Sequence, residues 1–327
     1  MSHYRYIVAN FQSPFHHGDF NFMWSCSMIK SEINISVAAR VPKVSVLMPV
    51  YNTPQEFLME AIESILNQSF SDFELIILND ASPDANVERV VKCYHDPRIK
   101  YYRNDRNLGI SESRNKLIDL ALGEYLAVFD HDDVSLPQRL EKQVTLLDNN
   151  PDIGVVGCWF KMVGSDEVQK LPVKNADIKK QLFTSCCLAH SSTMIRKKVL
   201  RDNNIKYEAV YSPSEDYALW CRLIDKTKFA NIPEVLFLYR NHEGNTSHKQ
   251  SVEMKETAIR IMDFVKRDNP ELWAVAQQDL LEVSRGKLCG LIPLLTIKKY
   301  QNKTVWLLGG KIPLWSSKGK QVVLTPD

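Results

Sequence analysis

The alternation of short apolar runs with helical segments, which begins at Val44, constrains the fold of this chain more than any other feature. Each run ends at a polar turn, and a segment with apolar residues at helical spacing follows it. Buried strands that alternate with helices form parallel sheets, because parallel neighbours need a crossover connection. The pattern therefore predicts an α/β fold in which a mostly parallel sheet is flanked by helices.

Polar residues follow the predicted strands of the first half directly. Three such strands are predicted to be buried: Val44 to Val50, Phe73 to Leu78 and Tyr125 to Phe129. In open α/β sheets, ligands bind beyond the carboxyl ends of the strands. Since Asn52, Asp80 and Asp130 come after these ends, we expect them to meet at one cleft.

Two helix starts carry recognisable signals. Thr53 is predicted to be the N-cap of the first helix, with Pro54 in its first turn and Glu56 as a capping-box carboxylate. Arg114 lies in the first turn of a later predicted helix, Glu112 to Leu122, where arginine and free backbone N–H groups can contact phosphate. An ordinary surface arginine is the alternative.

The pattern divides the chain into three parts. Residues 1–42 lack periodicity and are interpreted as an N-terminal extension, and residues 43–249 form the predicted α/β domain. Residues 250–327 are predicted to be a helical C-terminal extension, with a helix over 250–285 and an ambiguous last forty residues.

Composition excludes several classes of protein. The 41 Lys and Arg residues balance 39 Asp and Glu residues, which gives no electrostatic reason to expect a nucleic-acid partner. The apolar stretch from Leu288 to Ile297 is about half the roughly 20 residues that a spanning helix needs. Without a secretory signal or a C-x-x-C pair among seven cysteines, we expect a cytoplasmic protein.

The acidic turn Asp130-His-Asp-Asp133 is the strongest candidate for a metal site. Its three carboxylates in four positions would repel one another at the end of a buried strand, and a divalent cation would relieve that repulsion. Hard oxygen ligands favour Mg²⁺ or Mn²⁺. The alternative is a solvated acidic turn whose aspartates cap the next helix.

Three further positions combine a functional and a structural interpretation. Asp80 could contact a nucleobase or ribose, or form an Asx turn. Glu215 and Asp216 begin a predicted helix, where they favour the dipole, yet one could face the cleft as a general base. The segment with Arg240, His242, Ser247 and His248 could fold over a diphosphate or be a surface loop.

Five blocks in order resemble the family 2 glycosyltransferases of GT-A fold. They are Val46-Leu-Met-Pro-Val-Tyr-Asn52, Leu78-Asn-Asp-Ala-Ser82, Asn107-Leu-Gly-Ile110 with Ser113-Arg-Asn115, Phe129-Asp-His-Asp-Asp133, and Glu215-Asp216. The resemblance covers about residues 43–245 and implies a GT-A-type, Rossmann-like sheet. It also implies a nucleotide-sugar donor, usually a UDP-sugar, bound by the first half of the domain.

The resemblance implies a role for each matching position. Asp80 resembles the acid that contacts the base, Asp132 the metal ligand beneath the diphosphate with Asp130 beside it, and Asp216 the catalytic base paired with Glu215. The segment from Tyr239 to His242 is similar to the basic loop near the phosphates. The remaining positions expected to bind substrate are Pro49, Tyr51, Asn52, Arg114, Arg240 and His242, and His190 lies where relatives place a polar residue.

The implied reaction is a single displacement with inversion, in which a sugar moves to a hydroxyl of a glycan or glycolipid acceptor. Synthesis of a cell-surface polysaccharide or lipopolysaccharide is the implied context. The tail after residue 250 could cover the acceptor, contact a membrane surface or mediate self-association, since its mixture of Trp and Lys suits all three.

Two other functions stay open at this stage. A sugar nucleotidyltransferase would need a glycine-rich loop after the first strand, and Pro49-Val-Tyr-Asn52 contains no glycine. A non-catalytic nucleotide-sugar-binding relative would not need both Asp132 and Asp216. An oxidoreductase is disfavoured because no G-x-G-x-x-G follows the first strand.

Overall fold

The computed structural model describes residues 40–245 and 249–278, and the backbone of three strands between residues 295 and 316. The sheet and its helices belong to one compact unit, Val41–Asp327. Nearly all of the expected N-terminal extension lies outside the described residues, as do Ser247 and His248. In the ranges that are described, no helix has both the length and the apolar character needed to cross a membrane.

A nine-stranded sheet forms the centre of the domain. Its strands are β1 (Val44–Val50), β2 (Phe73–Asn79), β3 (Ile99–Arg103), β4 (Tyr125–Val128), β5 (Val134–Ser135), β6 (Ile153–Met162), β7 (Val168–Gln169), β8 (Met194–Arg196) and β9 (Lys228–Tyr239). Their order is β3-β2-β1-β4-β8-β6-β9-β5, and β7 pairs with β6. Strands β1 to β4 are mutually parallel, β8 runs against β4 and β6, and β6 is parallel to β9. The prediction of a mostly parallel α/β sheet is confirmed.

Helices flank the sheet, and eight of those in the described residues have both ends assigned. They are α1 (Gln55–Leu66), α2 (Asn86–Lys92), α3 (Ile110–Leu120), α4 (Arg139–Asn149), α5 (Asn175–Leu182), α6 (Lys197–Asp202), α7 (Glu215–Arg222) and α8 (Ser251–Asp268). Two short 3-10 turns, His190–Ser192 and Ala209–Tyr211, precede β8 and α7.

Hydrophobic cores lie on both faces of the sheet, because strand side chains alternate between faces. On β1, Val46 and Met48 point into the core that contains Leu58 of α1. Leu47, between them, points into the other core with Leu117 of α3. This burial on both sides explains why the sequence of the strand is a nearly continuous apolar run.

The predicted capping box on α1 is wrong. Helix α1 starts at Gln55 with Pro54 at the N-cap position, and no side chain caps it. The Thr53 hydroxyl is instead 2.9 Å from Nδ1 of His131, so it joins the turn after β1 to the acidic turn after β4. A tertiary hydrogen bond has replaced the local one that the sequence suggested.

The C-terminal extension is only partly helical. Helix α8 and the helical residues 270–278 agree with the prediction, and Ile261 and Val265 of α8 are buried in the same core as α7. Three antiparallel strands follow: β10 (Leu295–Tyr300), β11 (Lys303–Leu308) and β12 (Ile312–Ser316). Their β-branched and aromatic residues favour strands over the helical extension that was expected.

Candidate functional site

The carboxyl ends of β1, β2 and β4 lie at the same edge of the sheet. Strand β1 pairs in parallel with both β2 and β4. Beyond the strands, the Asp80 amide donates to the Val50 carbonyl at 2.8 Å and the Phe129 amide donates to the Leu47 carbonyl at 3.1 Å. The predicted convergence of Asn52, Asp80 and the acidic turn is therefore confirmed.

The turns after β1 and β2 are tied to each other. The Asn52 amide donates to the Ser82 hydroxyl at 3.0 Å, and the Ser82 amide donates to the Asn79 side chain at 2.8 Å. Asn52 (φ 51°) and Ala81 (φ 57°) both adopt the left-handed conformation. For Ala81 this costs roughly 1 kcal/mol, a strain that hydrogen bonds on both sides hold in place.

Residues 49 to 52 form the buried end of β1 and the exposed turn just beyond it. Pro49 pairs in register with Leu78 inside the sheet, and Tyr51, just beyond the strand, is 47% exposed. An exposed aromatic ring at a strand end offers a flat surface to a ligand. This arrangement agrees with the expected donor-binding positions and leaves their roles as proposals.

The Asp80 carboxylate organises the loop before α3. Its Oδ1 accepts hydrogen bonds from the Asn104 side chain (2.7 Å) and the Leu108 amide (2.9 Å), and its Oδ2 accepts one from the Gly109 amide (3.0 Å). Asp80 is buried, and Gly109 takes a φ of 83° that only glycine adopts readily. Its geometry is that of a loop anchor, with lone-pair capacity left on Oδ2.

Asp130 is held between a cation and a hydroxyl. Its Oδ1 is 3.3 Å from Nη2 of Arg114, and its Oδ2 accepts a hydrogen bond from the Ser191 hydroxyl. Burial opposes its charge, but the Arg114 cation and the Ser191 hydroxyl outweigh burial and lower the pKa of Asp130 to about 2. Asp130 is therefore ionised, with a protein partner on each oxygen.

Arg114 forms ion pairs with two acidic groups of the site. Its Nη1 donates to Oε1 of Glu215 at 2.5 Å while Nη2 faces Asp130, and its guanidinium lies 5.6 Å from the centre of the Tyr207 ring. The side chain is buried, and although burial opposes its charge, the neighbouring carboxylates raise its pKa. Two carboxylates hold the guanidinium, so Arg114 bridges them, and its expected contact with phosphate stays a prediction.

Glu215 and Asp216 begin α7 and have different environments. Glu215 is buried and paired with Arg114. Asp216 accepts a hydrogen bond from the Tyr217 amide at 2.7 Å, and burial together with the negative charge of Glu215 raises its pKa to about 6. The dipole of a helix N-terminus alone would lower the pKa of Asp216, so burial and the adjacent charge of Glu215 have the larger effect.

The loop after β9 folds onto the acidic turn. The Arg240 amide donates to the Asp133 carboxylate at 2.8 Å, and Nε of Arg240 donates to the Asp132 carbonyl at 2.7 Å. Nε2 of His242 lies 2.9 Å from Oδ2 of Asp132. Burial and the other two carboxylates raise the pKa of Asp133 well above its usual range. The loop therefore lies against the acidic turn, and its expected place over a diphosphate stays a prediction.

Helix α1 holds the same loop from the other side. The Arg240 guanidinium pairs with Glu60 and lies 4.5 Å from the centre of the Phe57 ring. The His242 ring lies 5.2 Å from Phe57. Arg240 therefore holds the loop against α1 and the acidic turn, and the His242 side chain contacts the Asp132 carboxylate.

His190 lies beneath the bridge formed by Arg114. Its Nε2 is 2.8 Å from the Tyr207 hydroxyl, and its ring is 5.9 Å from that of Trp220. Burial, with the adjacent guanidinium, lowers the pKa of His190 well below its usual range, so the imidazole is neutral.

Sequence reasoning missed the contacts of Ser191, Tyr207, Glu60 and Phe57 in this region. Ser191 and Tyr207 lie in irregular segments without periodicity. Glu60 and Phe57 lie on α1, where an apolar and a charged residue are both expected on an amphipathic helix, so neither one indicated a functional site. The signal that could have found Ser191 is the polar run from His190 to Thr193 just before a strand.

The donor set around the acidic turn suits a hard divalent cation in part. Within residues 40–245 and 249–278, no group of three or more His, Cys, Asp or Glu side chains is arranged to enclose a metal ion. Asp132 and His242 offer one carboxylate and one imidazole side by side. Mg²⁺ and Mn²⁺ sites commonly use one or two protein ligands and complete the shell with phosphate and water.

Comparison with known sequences identifies relatives along most of the chain. The model of Glycosyl transferase family 2 matches residues 45–203. An uncharacterized glycosyltransferase of Methanocaldococcus jannaschii is 39% identical over 207 residues, which cover 61% of this chain and 71% of that protein. The putative glycosyltransferase EpsE of Bacillus subtilis is 30% identical, with 81% of this chain and 95% of EpsE covered. The O-antigen biosynthesis glycosyltransferase WbnJ of Escherichia coli is also 30% identical, over 68% of this chain and 89% of WbnJ.

Solved structures share the fold. The structure of S. aureus TarS 1–349 in complex with UDP-GlcNAc superposes with a TM-score of 0.59 at 20% identity, covering 76% of this chain and 75% of the TarS 1–349 chain. The mannosyltransferase PcManGT of Pyrobaculum calidifontis, in complex with GDP-Man and Mn²⁺, superposes with a TM-score of 0.52 at 16% identity. The superposition covers 78% of this chain and 82% of the PcManGT chain. Sequence relatives over most of their length and a shared GT-A fold show that the chain belongs to glycosyltransferase family 2 and is a glycosyltransferase.

Proposed function

We propose that this glycosyltransferase moves one sugar from a nucleoside-diphosphate sugar, a UDP-sugar, to a hydroxyl of a glycan or glycolipid, with inversion at the anomeric carbon. The observation that carries the proposal is the Arg114 bridge. It brings the acidic turn after β4 and the Glu215–Asp216 pair of α7 to one place, although 101 residues separate Arg114 from Glu215. A displacement needs a group that stabilises the leaving diphosphate and a base near the attacking hydroxyl, and the bridge joins candidates for both.

Asp216 is the proposed general base. Its pKa of about 6 leaves it ionised at neutral pH and still able to accept a proton. In the proposed step, Asp216 takes the proton of the acceptor hydroxyl while the oxygen forms a bond to the anomeric carbon and the bond to the diphosphate breaks. Glu215 is a poorer candidate, because its Oε1 is already held by Arg114.

The turns after β1 and β2 are the proposed donor-binding end. Pro49 lies at the buried end of β1, Tyr51 and Asn52 lie just beyond it, and Asp80 shapes the adjacent loop. Asp80 retains lone-pair capacity on Oδ2, so contact with the base is compatible with its role as a loop anchor.

Asp132 is the proposed ligand of a Mn²⁺ or Mg²⁺ ion, with His242 beside it. Both oxygens of Asp130 have protein partners, so Asp130 serves better as the fixed neighbour of the ligand than as a second ligand. When bound, the ion would neutralise charge on the diphosphate leaving group. Arg240 would keep His242 and the loop against Asp132 through its contacts with Glu60 and Phe57.

The names of relatives favour a role in surface-glycan synthesis. WbnJ is named for O-antigen biosynthesis, and TarS was solved with UDP-GlcNAc. PcManGT was solved with GDP-Man and Mn²⁺, which makes a GDP-sugar the donor to test against UDP-sugars. We propose a polysaccharide or lipopolysaccharide acceptor, reached at the cytoplasmic side of the membrane.

A donor panel tests this function. Nucleotide binding, and the release of nucleotide from UDP- and GDP-sugars that accompanies transfer, are measured with and without Mn²⁺ for the native protein, Asp132→Ala and Asp216→Asn. We expect Asp132→Ala to lose Mn²⁺-dependent nucleotide binding. Asp216→Asn should keep nucleotide binding and lose about 10²-fold or more in transfer. Unchanged transfer by Asp216→Asn would remove Asp216 from the role of base.

A further inference from the structure

Arg139, the first residue of α4, is a fully buried cation behind the acidic turn. Its exposure is 0%, and its guanidinium lies 5.1 Å from the centre of the Phe129 ring. Nη1 donates to two backbone carbonyls, that of Val128 at 3.2 Å and that of Ser191 at 2.8 Å. One nitrogen atom therefore joins the end of β4 to the 3-10 turn His190–Ser192.

The two carbonyls flank the same carboxylate. Val128 ends β4 two residues before Asp130, and the Ser191 hydroxyl donates to Oδ2 of Asp130. The Val128 amide also donates to the Thr193 carbonyl at 2.9 Å, which closes the connection between strand and turn. Movement of Ser191 would therefore displace one of the two groups that hold Asp130.

The charge of Arg139 is costly in this position. Its Nε and Nη2 are buried and have no hydrogen-bond partner among the described residues. Burial lowers its pKa to about 10, so it remains a cation at neutral pH. A neutral amide can make the same kind of contact, as Gln143 does one turn later with the Ser192 carbonyl at 2.7 Å. Binding carbonyls alone does not require a buried cation, which costs free energy.

We propose that Arg139 is a positioning residue for the acidic turn after β4: it holds Ser191 and, through Ser191, the Asp130 carboxylate. Arg114 contacts the same carboxylate, and the loop after β9 contacts Asp132 of the turn. This inference rests on the proposed function only where that function makes Asp130 the fixed neighbour of the metal ligand Asp132.

A double-mutant cycle with Arg139→Met and Ser191→Ala tests the proposal. The readout is kcat/KM for nucleotide release from the preferred donor of the panel. We expect each single variant to lose about tenfold, and the double variant to lose no more than the worse single one. Because both act on the same carboxylate, their effects do not add. Additive losses would overturn the proposal, since a merely destabilising Arg139→Met acts independently of Ser191.

Gln68→Met is the matched control for loss of a buried polar side chain near α4. Gln68 is buried and binds the Leu136 carbonyl and the Leu140 amide, and it has no contact with the His190–Ser192 turn. We expect it to reduce the free energy of unfolding without changing the donor KM. An equal rise in KM for Gln68→Met and Arg139→Met would contradict a specific role for Arg139.

A crystal structure of Arg139→Met separates this inference from the proposed function. We expect the Ser191 hydroxyl to lose its contact with Asp130 whether or not a donor binds. A native protein that releases nucleotide from no donor would refute the proposed function and leave this readout intact. An unchanged Ser191–Asp130 contact in the variant would refute the positioning role.

Discussion

The guanidinium of Arg114, in α3, donates to the carboxylate of Glu215, the first residue of α7. Both side chains are buried, and the second guanidinium nitrogen faces Asp130. Three charged groups from distant parts of the chain thus compensate one another. The arrangement leaves Asp216, next to Glu215, as the acid whose pKa is raised toward neutrality.

Replacement of Arg114 by Met should destabilise the fold and the site together. Two carboxylates would remain without their cation, and breaking a buried ion pair from one side costs about 3–5 kcal/mol. We expect a decrease of that size in the free energy of unfolding, measured by urea denaturation. Arg201→Met, at an exposed arginine, should change it by less than about 0.5 kcal/mol. A small change in the free energy of unfolding for Arg114→Met would mean that water solvates the Glu215 charge in the variant.

The raised pKa of Asp216 predicts an acid limb in the pH–rate profile. A base must be unprotonated, so kcat should be lost as the pH falls through about 6. The measurement is kcat at saturating donor between pH 5 and pH 8, at constant ionic strength. A profile that stays flat down to pH 5 would exclude a base with this pKa.

Glu215→Gln should move that acid limb to lower pH. Glu215 is the largest charged contribution that raises the pKa of Asp216, so removing its charge should lower that pKa. The control is Asp225→Asn, at a partly exposed carboxylate paired with Lys226. If both variants shift the limb equally, a nonspecific effect of net charge is the better explanation.

The parts of the fold that follow from local pattern could be predicted from the sequence. Continuous apolar runs such as Val44–Val50 predicted buried parallel strands, and a polar residue after each strand predicted a shared edge. Thr53 shows where local reasoning fails. Its capping signal was valid locally, but His131, 78 residues later, provides the partner that the hydroxyl uses.

In the candidate site, too, features that follow from local sequence pattern could be predicted, and those that depend on distant partners could not. The acidic turn and the Glu215–Asp216 pair could be found because each follows a clear element boundary. The partners of Arg114 could not, since its position at a helix N-terminus fits a phosphate as well as it fits two carboxylates. Long-range pairing of charges depends on how the elements pack, and helical or strand periodicity does not encode it.

His242→Phe should weaken metal binding while keeping the loop in place. Phenylalanine preserves the ring contact with Phe57 but removes the nitrogen that lies 2.9 Å from Asp132. We expect the affinity for Mn²⁺ in the presence of UDP to fall about 10- to 100-fold, measured by titration calorimetry. His95→Phe, at an exposed histidine, is the control. Equal Mn²⁺ affinities for the native protein and His242→Phe would show that His242 does not assist the ion.

Phe57→Ala should loosen the loop after β9. The ring lies under both the Arg240 guanidinium and the His242 imidazole, and a cation–π contact contributes about 0.5–1 kcal/mol at a partly exposed position. We expect the donor KM to rise about threefold to fivefold with less change in kcat, and amide exchange of residues 240–245 to become faster. Met59→Ala, on the same helix, should change neither quantity. Faster exchange with an unchanged KM would show that the loop does not contact the donor.

Helix α8 should be required for the stability of the glycosyltransferase domain, although it follows the matched family region. Ile261 is 0% exposed in the core that also contains Trp220 of α7, and the Ser214 hydroxyl, just before Glu215, donates to the Met254 carbonyl at 3.4 Å. Ile261→Ala should therefore lower the free energy of unfolding by about 2–5 kcal/mol. Ile259→Ala, two residues away and 55% exposed, should change it by less than about 0.5 kcal/mol. Since α7 begins with Glu215 and Asp216, looser packing of α7 in Ile261→Ala should also lower kcat. Equal free energies of unfolding for Ile261→Ala and Ile259→Ala would mean that the domain does not depend on α8.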